Sequence, residues 1–217
     1  MMAGDKAVEA AIDERIRRYF GQRLDEYGPE PRGVDWSSAE AQEARFAALL
    51  ETLGPLSSGA SLLDAGCGLG DLYPYLNARR NGIVYTGCDL SAPHIFAARK
   101  AYPDARFLAG DVVDIVEREE FDVVVACGLL HLSVPRWNRW AWARVRAMYR
   151  GSRVALTFTL PVRGHAQAPV LEKADPAEWA ARLRALSPRP SVSAIELAAW
   201  GDAVYVVRRP HPVTPPK

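Results

Sequence analysis

Excess charge of either sign is missing from this sequence: 27 Lys and Arg stand against 26 Asp and Glu, for a formal net charge of +1. A generic polyanion binder is thereby excluded as the leading reading. Long hydrophobic runs are also missing. The best uncharged stretch, Val154 to Val162, falls far short of the roughly 18 residues that cross a bilayer, and the N-terminus carries Asp5, Lys6 and Glu9 where a signal peptide would be apolar. A soluble, cytoplasmic protein without a membrane partner is expected. Cysteine is scarce, with Cys67, Cys88 and Cys127 each in or beside an apolar run and no CxxC pair among them. This excludes a disulfide framework, suits reduced thiols, and leaves no reason to expect a metal. Repeats and long low-complexity segments are absent too.

The 217 residues, 49% hydrophobic and 24% charged, suffice for one domain with a sizeable core. A helical stretch from Lys6 to Tyr27 comes first. A Gly/Pro loop over Gly28 to Gly33 follows, then Ser37-Ser38 as caps for a helix through Phe46 to Leu53. From Ala60 short apolar runs alternate with helical stretches. Strands are predicted at 61–65, 83–88, 106–109, 121–126 and 153–159, and helices at 71–80, 91–101, 112–118 and 135–150. A further helix follows Asp175-Pro176, and then two runs, 192–197 and 203–207, with Trp200-Gly201-Asp202 between them. The expected fold is an α/β three-layer sandwich around a mostly parallel seven-stranded sheet, with its last strand antiparallel and an N-terminal helical lid. The organisation expected is a lid over 1–58, a core over 59–208 and a disordered tail over 209–217.

The first strand runs into Asp64-Ala65-Gly66-Cys67-Gly68-Leu69-Gly70-Asp71, with glycine at alternate positions before a helix. Such a turn lets a ligand lie against main-chain amides. A dinucleotide site would need glycine at 71, and Asp71 is poorly suited to a pyrophosphate. Asp89, at the end of the second strand, stands where a carboxylate accepts from ribose hydroxyls. A nucleoside without a diphosphate is implied.

From Ala60 to Val207 the residues resemble class I, Rossmann-like S-adenosylmethionine-dependent methyltransferases, in particular uncharacterised bacterial members. The resemblance implies that Asp64, Gly66, Cys67, Gly68 and Gly70 wrap the methionine part of S-adenosyl-L-methionine, and that Asp89 with Leu90 holds the ribose. It further implies that Asp111 and Val112 read adenine and that the Cys127-Gly128 segment passes the sulfonium. Methyl transfer to a small molecule is then expected, with S-adenosyl-L-homocysteine as product and a monomer or homodimer as the unit. Three alternatives stay open: aminopropyl transfer or cyclisation on the same fold, RNA methylation, and a cofactor-binding module without catalysis.

His131, three residues beyond Gly128, is the candidate for catalytic base or substrate contact, with a packing role as its rival; His165 is a weaker candidate. Tyr19 and Trp36 are candidate substrate contacts on the lid, where aromatics can also simply anchor helices. The stretch 136–150 interleaves Arg and Trp. On a helix Arg136, Arg139, Ala143, Arg146 and Arg150 share one face and Trp137, Ala141, Val145 and Met148 another, which reads as an amphipathic surface helix and not as a nucleic-acid site.

Overall fold

The computed structural model describes residues 3–80, 82–162 and 174–210, with side chains from residue 7 onward. His165 and positions 211–217 of the expected tail lie outside the described residues. The elements run α1 (Ala3–Tyr27), a 3-10 turn (Pro31–Val34), α2 (Ala39–Leu53), β1 (Ser61–Ala65), α3 (Leu72–Asn77), β2 (Val84–Asp89) and α4 (Ala92–Ala101). They continue with β3 (Arg106–Ala109), α5 (Val112–Arg118), β4 (Phe121–Ala126), α6 (Trp137–Gly151), β5 (Ser152–Pro161), α7 (Pro176–Arg184), β6 (Ser191–Leu197) and β7 (Asp202–Arg208).

The sheet order is β3-β2-β1-β4-β5-β7-β6. Strands β1 to β5 pair in parallel, and β7 runs antiparallel to both β5 and β6. Alternation along the strands divides their side chains between two cores. Leu63, Ala65, Val124 and Ala126 join the face covered by α5, α6 and α7, while Leu62, Val123 and Val125 join the face of α2, α3 and α4. The N-terminal helices belong to these same cores, α1 through Ile12 and α2 through Phe46, Leu49, Leu50 and Leu53. The mostly parallel seven-stranded sandwich read from the sequence is the observed fold.

The third helix is shorter than its pattern implied, ending at Asn77 instead of Arg80. Arg80 turns its guanidinium onto the carbonyls of Leu50 and Gly54, and Arg208 serves those of Thr52 and Leu53, so two arginines satisfy the open C-terminal end of α2. The expected tail also begins too early, because Arg209 donates its N–H to Val154 O at 2.8 Å and its guanidinium lies over Tyr149. Among the described residues no helix is long and apolar enough to cross a membrane.

Successive crossovers carry the chain outward from β1 to β3, then back to β4 on the other side of β1. The connections leaving β1 and β4 therefore diverge, which opens a crevice at the carboxyl ends of these two strands.

Candidate functional site

The crevice holds a cavity that is partly open to solvent. Asp64, Gly66, Cys67 and Gly68 line it from the end of β1, and Asp89 and Leu90 from the end of β2. Gly110, Asp111 and Val112 follow from β3, and Cys127 and Gly128 from β4. Of the residues that the sequence nominated for a cofactor, only Gly70 is elsewhere. A Cβ there would meet Phe107 at 2.7 Å, so Gly70 lets the turn pack on the core and is not a cavity wall.

Asp89 is held at both oxygens. Gly68 N–H donates to one at 3.0 Å and Ser91 N–H to the other at 2.8 Å, which fixes the carboxylate and leaves further lone pairs on each oxygen. Burial nevertheless pushes its carboxyl above the usual range, against the pull of those two amides. Asp64 is deeper, 3% exposed, and accepts a hydrogen bond of 2.7 Å from Tyr85 OH. Burial raises it to about 7, with the charges of Asp89 and Asp71 adding to the rise. All three thiols are pushed well up by burial, so they are neutral at physiological pH rather than thiolate nucleophiles.

The β3 end of the cavity is more heavily charged than the sequence indicated. Asp111 caps α5, accepting from Val113 N–H at 2.9 Å, and its other oxygen pairs with Arg144 of α6. The same Arg144 nitrogen reaches Asp13 of α1 at 3.1 Å, and the guanidinium lies over the Trp140 ring. Arg144 belongs to neither face assigned to 136–150. Its place four residues after Trp140 and seven after Trp137, on the buried stripe, was the available signal. The other arginines of the stretch, Arg136, Arg139, Arg146 and Arg150, are exposed as expected.

His94 was also missed. It lines the cavity while 1% exposed, with Nδ1 2.6 Å from Ser91 Oγ and Nε2 3.4 Å from Gly33 O. A carbonyl only accepts, so Nε2 carries the hydrogen. This histidine ties the turn after β2 to the loop after α1.

That loop places the aromatic residues. Asp35 takes a left-handed conformation (φ 67°), secured by Tyr19 OH at 2.7 Å and by Arg23 at 2.9 Å. Tyr19 therefore works as a loop anchor and is not in the cavity wall; the neighbouring Ile16 and Phe20 are. Val34 and Trp36, on either side of Asp35, rest on glycines. A Cβ on Gly68 would lie 2.8 Å from Val34, and one on Gly128 would lie 3.0 Å from Trp36.

His131 does not line the cavity. Burial lowers its pKa, and Nε2 lies 3.1 Å from Thr159 Oγ1, which accepts from Gly128 N–H at 2.9 Å. Asp202 Oδ1 lies 3.7 Å from the same His131 nitrogen, and the other Asp202 oxygen takes a 2.5 Å hydrogen bond from buried Arg45. Arg45 in turn lies over Trp36, whose ring meets His131 edge-on. The nominated base is thus one member of a buried ring of contacts that secures Gly128 and Trp36 from behind. Among the described residues no group of His, Cys, Asp and Glu is arranged to hold a metal.

Residues 63–152 match a family model described as a methyltransferase domain. Trans-aconitate 2-methyltransferase of Paracidovorax citrulli is 35% identical over 83 residues, covering 36% of this chain and 32% of that protein. Malonyl-[acyl-carrier protein] O-methyltransferase of Pectobacterium atrosepticum is 38% identical over 78 residues, 33% and 30% of the respective chains. The chain thus spans about a third of the length of the curated relatives it matches. Among solved structures, magnesium protoporphyrin IX methyltransferase of Synechocystis with bound S-adenosylhomocysteine superposes with a TM-score of 0.67 at 16% identity, over 91% of this chain and 99% of that one. A Burkholderia thailandensis 1,6-didemethyltoxoflavin-N1-methyltransferase gives 0.66 at 22% identity, over 96% and 91%.

Proposed function

We propose that the chain transfers a methyl group from S-adenosyl-L-methionine to a small-molecule acceptor, because residues 63–152 match the methyltransferase-domain model and lie inside a seven-stranded sheet of class I arrangement. The observation that carries the reading is the Asp89 carboxylate, fixed by two main-chain amides at the end of β2 with acceptor capacity to spare, as a vicinal diol requires. Several features of the cavity fit such a cofactor. Gly66 adopts φ 72°, and a Cβ there would lie 2.9 Å from Leu129, so this wall keeps a low profile beside main chain. Asp64 is a buried acid suited to face an ammonium group. Asp111 is an acceptor suited to an aromatic amine.

The cofactor supplies a methyl group on a sulfonium, already activated for displacement. The chain's share is to position and to exclude water. Trp36 and Gly128 would flank the transferring methyl group. The Ile16, Phe20 and Val34 side chains would cover the site from the N-terminal segment, which gives residues 1–58 their lid role. His131, off the cavity and held neutral, acts as a structural partner of Gly128, and no proton transfer is assigned to it. A base is required only for an acceptor that arrives protonated.

Neighbours in fold act on acceptors as different as a magnesium porphyrin and didemethyltoxoflavin, both small molecules, which supports the acceptor class and leaves its identity to experiment. The test is turnover of labelled S-adenosylmethionine against a metabolite panel with product identification. S-adenosylhomocysteine together with a methylated metabolite is expected. Methylthioadenosine in its place would overturn methyl transfer in favour of aminopropyl transfer or cyclisation.

A further inference from the structure

A buried arginine and two half-buried carboxylates meet at the β3 end of the cavity, and they come from three separated parts of the chain. Arg144 of α6 is 4% exposed in its side chain, Asp111 before α5 is 15% exposed and Asp13 of α1 is 17% exposed. One Arg144 nitrogen serves both carboxylates, so its two hydrogens bridge α1 to the edge of the cavity. Two carboxylates share the Arg144 cation, with the exposed Arg17 a weaker positive neighbour of Asp13, so hydrogen-bond acceptors are in excess beside the cavity wall. Burial and the neighbouring Asp111 raise the Asp13 carboxyl above its usual range while Arg144 pulls it down. A hydrogen-donating ligand edge at Asp111 would relieve that excess.

Near its C-terminal end α1 is also tied to the following loop and to α4, by Tyr19 and Arg23 on Asp35 and by Phe20 edge-on to His94, whereas its remaining contacts are slight. A thin stripe of Val8, Ile12, Ile16, Tyr19 and Phe20 meets the core, with only Ile12 among them fully buried, and Arg17 reaches Leu90 O through an exposed hydrogen bond of 3.2 Å. Ile16 and Phe20 also line the cavity. Whatever fills the nucleoside end therefore touches α1 directly and touches Asp111, whose Arg144 partner also holds α1.

We propose that Arg144 is a positioning residue that couples the docking of α1 to occupation of the nucleoside end by an amine-bearing aromatic base, so that closure and cofactor binding are one linked event. The inference rests on the cofactor reading above. By linkage, a ligand favoured by docked α1 must itself favour docking, by the same factor.

Hydrogen exchange on the full chain with and without S-adenosylhomocysteine tests the coupling, using wild type, Asp13→Ala and Arg144→Met. Asp13→Ala leaves a simple Arg144–Asp111 pair and keeps a good helix former in α1, so it remains informative should Arg144→Met fold poorly. In wild type, ligand is expected to slow exchange in α1, in the Gly66–Gly70 turn and at the end of β2. At saturating ligand Asp13→Ala should keep the protection at the turn and at β2, lose most of it in α1, and bind at least about five-fold more weakly. Undiminished α1 protection in Asp13→Ala, or a wild type that binds ligand without slowing α1, would overturn the coupling alone. A wild type that binds no S-adenosylhomocysteine would overturn the cofactor reading and this inference with it.

Discussion

At Asp64 burial and the charges of Asp89 and Asp71 together produce a carboxyl that titrates near 7, with only Tyr85 OH pulling the other way. The folded value lies above the ordinary one, so folding favours the protonated form. The resulting stabilisation is fully present below the usual carboxylate range and is lost as pH rises through about 7. Asp64→Asn removes the charge while keeping an acceptor for Tyr85. Its melting temperature relative to wild type should therefore rise between pH 5 and about pH 7 and level off above, as followed by scanning calorimetry; a pH-independent difference would refute the titration. His131 poses the opposite case, a titratable group held neutral away from the cavity. His131→Asn should leave S-adenosylhomocysteine affinity within about three-fold while lowering stability by about 1–3 kcal/mol, since a buried partner is left unsatisfied. A large loss of affinity without loss of stability would return His131 to the site.

Helix α2 is fixed to the sheet by the buried Arg45–Asp202 pair, whose partners are 157 positions apart in sequence. Removing one member strands a charge, so Arg45→Met should cost about 3–5 kcal/mol in urea unfolding, and the double variant Arg45→Met with Asp202→Leu should recover most of it. Equal instability of single and double variants would show that packing of Arg45 on Trp36 and Trp200, not charge, holds α2. This pair also shows why part of the site was unreadable in advance. Strands β1, β3 and β4 and helix α5 follow from local apolar runs and caps, and their bounds coincide with the pattern. Arg45 with Asp202, and Arg144 with Asp13, are meaningful only as pairs across the fold, and nothing near any one of them in the chain announces its partner. Tyr19 illustrates the converse. An aromatic on the N-terminal helix is easily read as a substrate wall, but its hydroxyl is committed to Asp35, and the cavity is lined instead by the neighbouring Ile16 and Phe20.

For the whole molecule, the order of strands decides where chemistry can occur. Divergence of the chain at β1 and β4 opens one crevice, and the motifs read from the sequence converge on it because each follows the carboxyl end of a parallel strand. The near-neutral total charge conceals an uneven distribution. Asp64, Asp89 and Asp111 collect at the cavity, while Arg136, Arg139, Arg146 and Arg150 lie exposed along α6. The account depends most on Asp89 as the cofactor's anchor, and calorimetric titration of S-adenosylhomocysteine into wild type and Asp89→Ala tests it most directly. One-to-one binding by wild type, weakened in the folded variant by about 1–3 kcal/mol or more, is the predicted result. Unchanged affinity in Asp89→Ala, or no binding by wild type, would contradict it.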